Sequence, residues 1–354
     1  MSINVGILGF THGHINMISD AWVKNPGLGV TVLKGWDLDK KLAEESCKNL
    51  NALTAKTIDE ILNDNNIGAV VIAAATKYHA ELCIKSAQAG KAIILYKPMA
   101  LTLSEADSIV EAVEKYNVPF TMGYQMRVDP QNIKIKELIN NKIIGDTYVY
   151  RRRHGLSTHL WQGFEDTWHV DPELNRDIFA DDSSHPIDML NWVFGVPTSV
   201  MCEMSSMSNP NNVPNDTGVA LFKYSNGMIA EISCYFACTA SEITTEVYGE
   251  KGSILQYYGD ATSTGLPRPE GQPGLKWFLT GNDNWISSDI PSPQAHGERI
   301  AAQAKAFSEF IHGKRPSICS AREGRDSLRM VLACYVSAQN GERVFINDKR
   351  VYDI

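Results

Sequence analysis

The segment Ile3-Asn4-Val5-Gly6-Ile7-Leu8-Gly9-Phe10-Thr11-His12-Gly13-His14 runs from a short apolar stretch into a glycine-rich turn. Its continuation has helical spacing, with Ile15, Ile18, Trp22 and Val23 on one side. Strand, glycine turn and helix in that order open a βα unit, and the first third of the chain repeats the pattern. Residues 30–36 read as a second strand, followed by a polar helix from Asp39. Thr57-Ile58-Asp59-Glu60 has the Thr-to-Glu spacing of a capping box and predicts a short helix capped by Thr57. Residues 69–74 read as a third strand and 78–89 as a helix stopped by Gly90. A fourth strand at 92–96, a helix opened by Ser104-Glu105-Ala106-Asp107 and a fifth strand at 119–122 follow. Strands alternating with helices imply a parallel sheet, and the handedness of βαβ crossovers leaves a Rossmann-like, doubly wound sheet as the main choice.

After Gly123 the pattern changes. A helix at 134–141 and an extended stretch at 147–153 lead into a Trp- and His-rich loop over about 154–172. A helix over 178–194 is closed by Gly195. Residues 198–258 read as alternating strands, with turns at Ser225-Asn226-Gly227 and Gly249-Glu250-Lys251-Gly252. A long Gly/Pro/Ser/Asp-rich loop at 259–295, with one strand at 276–279, precedes amphipathic helices at 298–312 and 322–339 and a strand at 343–346. Strands joined without helices suggest a large open, mostly antiparallel sheet in an α+β domain. The division along the chain is therefore 1–123 for the nucleotide-type domain and 124–354 for the second. Val219, Leu221, Ile229, Ile232 and Val247 suggest an apolar outer face on that sheet, and hence a symmetric homo-oligomer.

The 354 residues carry 33 basic and 41 acidic side chains, a net charge of −8, which disfavours nucleic acid or an anionic membrane as partner. No apolar run approaches the ~18 residues of a membrane span. Seven scattered cysteines without a C-x-x-C pair read as free thiols, and the N-terminus shows no signal-peptide pattern, so a cytoplasmic protein is expected.

The glycine loop suits a dinucleotide: a tight turn, close backbone approach to pyrophosphate, and a helix N-terminus aimed at the phosphates. Gly9 fits the G-x-G-x-x-G pattern, Thr11 stands where the second glycine belongs, and Gly13 precedes the third position. Asp37 closes the second strand, where a carboxylate hydrogen-bonds the adenosine ribose and repels a 2′-phosphate; NAD is expected over NADP. His12 and His14 read either as cap residues or as phosphate donors. His154, His159, His169, Trp161 and Trp168 crowd one loop and suggest a sugar-binding surface, their spacing fitting no usual zinc pattern, so no metal is expected.

With Leu95-Tyr96-Lys97-Pro98-Met99-Ala100, Gly123-Tyr124-Gln125-Met126-Arg127 and Asp181-Asp182-Ser183-Ser184-His185-Pro186-Ile187-Asp188, the chain resembles the Gfo/Idh/MocA oxidoreductases over nearly its whole length. That resemblance implies a nicotinamide-dependent dehydrogenase of a small hydroxylated substrate such as a sugar, polyol or inositol. It assigns proton abstraction to His185, supported by Asp181, and the substrate oxygen to Lys97. It adds Phe10, Ala74, His79 and Gln125 to the cofactor set, Arg127 and Tyr235 to the substrate set, and a homodimer or homotetramer paired through the open sheet. Three positions depart from the family: Tyr96 stands for the usual Glu, Ser183 for Gly, and Ala74-Ala75-Thr76 for Thr-Pro-Asn. Other chemistries within such a family are transient oxidation by tightly held NAD, leading to elimination, epimerisation or hydrolysis, and a non-enzymatic nucleotide sensor; intact Lys97, Asp181 and His185 speak against the sensor. The residues themselves agree with the assignment. His is poised near neutral pH, and Asp181 one helical turn before it could fix its tautomer if the stretch is helical, whereas Pro186 also permits a helix starting at His185.

Overall fold

Strand–helix alternation in the first third builds one sheet, and the spacing of its apolar residues sets which faces close over it. The structure, a computed structural model, describes residues 2–208, 213–259, 264, 266, 273–292 and 297–354. The strands are β1 (Ile3–Leu8), β2 (Val30–Trp36), β3 (Leu53–Thr54), β4 (Ile67–Ile72), β5 (Ala92–Leu95) and β6 (Phe120–Met122). Between them lie α1 (His14–Lys24), α2 (Lys40–Leu50), α3 (Asp59–Leu62), α4 (His79–Gln88) and α5 (Leu103–Tyr116). All strand pairs are parallel, in the order β3-β2-β1-β4-β5-β6. The order reverses between β1 and β4, so the loops after these two strands flank the crevice where doubly wound sheets take ligands.

The rest comprises α6 (Pro130–Asn140), β7 (Thr147–Gly155), α7 (Ile178–Phe194), β8 (Ser199–Ser205), β9 (Thr217–Lys223), β10 (Ile229–Tyr235), β11 (Thr244–Gly249), β12 (Gly252–Gln256), β13 (Leu275–Leu279), β14 (Ile286–Ser287), α8 (Glu298–Ile311), α9 (Ala321–Asn340) and β15 (Val344–Phe345). Nine strands form the second sheet in the order β14-β13-β12-β11-β7-β10-β9-β8-β15, with β7 and β10 parallel and the other pairs antiparallel. Its inner face packs on α7. The chain groups into two discontinuous units: 1–128, 173–175 and 297–328 in the first, and 129–172, 176–296 and 329–354 in the second. In the first unit α8 lies on α1, where Trp22 Nε1 donates to the Ala304 carbonyl at 2.8 Å and Phe307 meets the Tyr96 ring edge to face.

Three expectations need correction. Thr57 caps nothing: α3 starts at Asp59 behind Ile58, and Glu60 instead accepts from the Lys56 N–H at 3.2 Å. The third strand, expected at 69–74, ends earlier, because pairing with β1 stops at Leu8 opposite Ile72 and the alanines that follow enter the loop. On the second sheet Val219, Leu221 and Ile229 do lie on the outer side, but Ile232 and Val247 are buried, since they stand on the opposite parity of β10 and β11. Strand β3, two exposed residues long, was too short to carry a pattern. Much of the loop expected at 259–295 lies outside the described residues. All seven cysteines are free, and no helix among the described residues is long and apolar enough to cross a membrane.

Candidate active site

In the first unit β1 ends at Leu8, and Gly9 turns the chain with φ +94°. A Cβ at Gly9 would lie 2.4 Å from the Ala74 backbone, so both the turn and the approach of the β4 loop require glycine. The Phe10 N–H donates to Asp37 Oδ2 at 2.6 Å, the Thr11 hydroxyl to the same oxygen at 3.4 Å, and the Asp39 N–H to Oδ1 at 2.9 Å. Asp37, buried, thus ties the end of β2 to the glycine loop. A carboxylate offers about four lone-pair sites, so Oδ1 keeps capacity for one further hydroxyl. Gly13 borders open space, with nothing within 4 Å of a Cβ built there, and no side chain caps the start of α1. Bare backbone at an uncapped helix start fits a dinucleotide pyrophosphate.

Around this loop the structure gathers rings. His12 and His14 meet edge to face at 4.5 Å, and Tyr96 lies 4.9 Å from His12, ring centre to ring centre. Burial pushes the Tyr96 phenol well above its usual range. His79 is wholly buried, with Nδ1 2.8 Å from the Pro98 carbonyl and Nε2 3.0 Å from that of Ala74. Burial lowers its pKa more than these carbonyls raise it. What His79 does here is join the loop after β4 to the loop after β5. Lys97 is buried at the end of β5, in cis linkage to Pro98, and Gln125 is buried in the turn after β6. Arg127, expected near substrate, has its guanidinium on Glu323 at 2.6 Å and on the Ile318 carbonyl at 3.1 Å.

In the second unit α7 carries the remaining residues. Asp177 caps it, accepting from the Ala180 N–H at 2.9 Å, from Asn215 at 2.7 Å and from the Tyr335 hydroxyl; its burial raises its pKa. The helix runs unbroken through Pro186, which settles the open alternative: Asp181, Asp182, His185 and Asp188 all stand on one helix, and all are buried. Pro186 supplies no N–H to the carbonyl of Asp182 four residues back. Asp181 Oδ2 faces His169 Nδ1 at 3.1 Å, and Asp182 Oδ2 accepts from His154 Nε2 at 2.8 Å. Asp182 Oδ1 stands 3.9 Å from His185 Nε2. Sequence reading passed over Asp182, although it precedes His185 by one helical turn just as Asp181 does. Of the loop residues, Trp168 packs on His169 at 4.1 Å, Trp161 is half-exposed against Phe164, and His159 is exposed and bonded to Thr239 at 3.1 Å. Tyr235 ends β10, half-buried. Among the described residues no group of three or more His, Cys, Asp or Glu is placed to hold a metal ion.

Residues 3–124 match the sequence model of an oxidoreductase family with an NAD-binding Rossmann fold, and residues 133–255 match that of the GFO/IDH/MocA C-terminal domain. The chain is 23% identical over 302 residues to the myo-inositol 2-dehydrogenase of Thermotoga maritima, covering 82% of this chain and 83% of that protein. It is 29% identical over 209 residues to Oxidoreductase P35 of Formosa agariphila; that match takes in 58% of this chain and 64% of the relative, less than two thirds of its length. Among solved structures, the myo-inositol 2-dehydrogenase of Lactobacillus plantarum superposes with a TM-score of 0.79 at 25% identity, over 98% of this chain and all of that one. A levoglucosan dehydrogenase in complex with NADH and levoglucosan gives a TM-score of 0.82 at 20% identity, with the same coverage, and so shares the fold.

Proposed function

The chain belongs to the Gfo/Idh/MocA oxidoreductase family, and from that premise we propose that it is an NAD-dependent dehydrogenase of a small polyhydroxylated substrate: an inositol, another polyol or a sugar. The observation that carries this reading is the buried imidazole of His185 on the same helix as the carboxylates of Asp181 and Asp182. An imidazole so supported suits removal of a hydroxyl proton at neutral pH. The inositol dehydrogenases among the relatives point the same way.

Gly9, Phe10, Thr11, His12, Gly13, His14, Asp37, Ala74 and Gln125 are the residues assigned to the nucleotide, with His79 holding two of the loops. When bound, the nicotinamide supplies the hydride acceptor. His185 takes the hydroxyl proton, the neighbouring carboxylates offset the imidazolium charge, and the Lys97 ammonium faces negative charge developing on the substrate oxygen. His154, His159, Trp161, Trp168 and Tyr235 are assigned to the substrate side. A second copy of this chain is the partner proposed for the outer face of the nine-stranded sheet.

The test is a panel of inositols, polyols and aldoses incubated with NAD⁺ and followed by NADH absorbance. On the substrate so found, His185→Ala lowers turnover by roughly 10²–10⁴ while leaving NADH affinity unchanged. Full activity in that variant would remove His185 from the role.

A further inference from the structure

Asp182 differs in its surroundings from the carboxylate one residue before it. Its Oδ2 accepts from His154 Nε2 at 2.8 Å, and its Oδ1 lies at 3.9 Å, within ion-pair range, of His185 Nε2. The two imidazole rings are 6.3 Å apart, centre to centre, so a single carboxylate serves both. Asp181 meanwhile turns an oxygen to His169, which is partly exposed. His154 comes from β7 and His185 from α7, which packs on that strand.

We propose that Asp182 is a positioning residue that sets the protonation of His185, with His154 fixing the direction of its carboxylate. The proposal rests on the reading of His185 as proton acceptor. The hydrogen bond from His154 anchors Oδ2, and because a carboxylate is rigid and planar this also aims Oδ1. Nδ1 of His154 is buried and has no partner among the described residues. A hydrogen at that nitrogen would be a buried donor without an acceptor, which favours the tautomer that carries its hydrogen on Nε2, toward Asp182. A proton taken from a substrate hydroxyl and held by His185 instead gains an anionic neighbour in a poorly hydrated setting. Asp182 takes up no proton in this step, and the hydride would pass to the nicotinamide when that group is bound. Among the described residues, the charged or titratable groups on the elements around the cluster include Asp181 and Asp188 on α7, His169 on the loop, Arg152 on β7 and Cys234 on β10. Asp181 and Asp188 reinforce a cationic His185 and Arg152 opposes it, so removal of Asp182 alone shifts the titration without abolishing it.

The experiment needs no substrate. Full-length protein labelled at histidine Cε1 is titrated by NMR from about pH 5 to 9, with the His185 and His154 signals assigned from His185→Gln and His154→Gln. In Asp182→Asn the His185 midpoint moves down by about one pH unit, and in Asp182→Ser it moves the same way. A folded Asp182→Asn or Asp182→Ser protein whose His185 midpoint is unmoved overturns the proposal. So does a shift equal in size at His159, which lies outside the cluster and would report general loosening. Failure to find a hydride-transfer substrate leaves this titration untouched, so the two readings fail separately.

Discussion

Three donors, from Phe10, Thr11 and Asp39, converge on the Asp37 carboxylate, and that convergence bears on how the protein selects its nucleotide. One acceptor site remains for a ribose hydroxyl, whereas a 2′-phosphate would bring negative charge against a buried anion already fixed in place. NAD is expected to bind at least tenfold more tightly than NADP, a difference of about 1.4 kcal/mol or more. Fluorescence titration with both cofactors checks this, and equal affinities would show that Asp37 does not face the ribose. In Asp37→Ser the preference should shrink while NAD binding also weakens, because the glycine loop loses its anchor. The positions of Asp37 and Lys97 just past strand ends were legible in the sequence, since each follows a strand whose apolar run is visible. The partnerships of the α7 carboxylates were not. Their imidazoles lie 12 residues away in the case of Asp181 and 28 in that of Asp182, and helical periodicity can place two groups on one face without telling which residues another element brings to them.

At the scale of elements, the contrast between two Thr-to-Glu spacings is instructive. At the start of α5 the Thr102 hydroxyl accepts from the Glu105 N–H at 3.2 Å, and Glu105 returns a carboxylate to the Thr102 N–H at 3.0 Å. The same spacing at Thr57 and Glu60 forms no such box. Thr102→Ala is therefore expected to cost about 1 kcal/mol, and Thr57→Ala, at an exposed position without a cap bond, less than about 0.5 kcal/mol. Urea midpoints of the two variants measure the difference; equal losses would mean that the box at α5 adds nothing. Element positions were mostly readable, as α1, β2 and α7 show, because each has either a clean apolar period or a defined stop such as Gly195. The register that divides inner from outer residues was less so. A strand buried on one face with a small or apolar residue on the other, as in β10 with Ile229 outside and Ile232 inside, gives two apolar faces and no alternation to read.

For the whole molecule, Leu221 and Ile229 stand 40% and 43% exposed on the outer side of the second sheet, with Met201 at 38%. Arg151 on the same sheet reaches both Glu231 and Glu246. Apolar side chains beside paired charges can associate with their own copy, and light scattering at micromolar concentration should return a multiple of 39.2 kDa. Leu221→Glu should shift that mass toward the monomer, and a monomeric parent would discard the idea. The discontinuity of the first unit reaches further, into how the protein is made. Ile15, Ile18 and Trp22 of α1 are essentially wholly buried, and α8, which lies on α1, is drawn from residues 298–311. On a ribosome the first 128 residues emerge long before that cover exists, so the nascent nucleotide fold must wait with an oily flank uncovered. A fragment ending at Val128 is accordingly expected to bind hydrophobic dye and aggregate, and adding residues 297–328 in trans should quench the dye. Synthesis order and folding order part company here, and chaperones that shelter apolar helices would have their longest task on the half of the protein that is translated first.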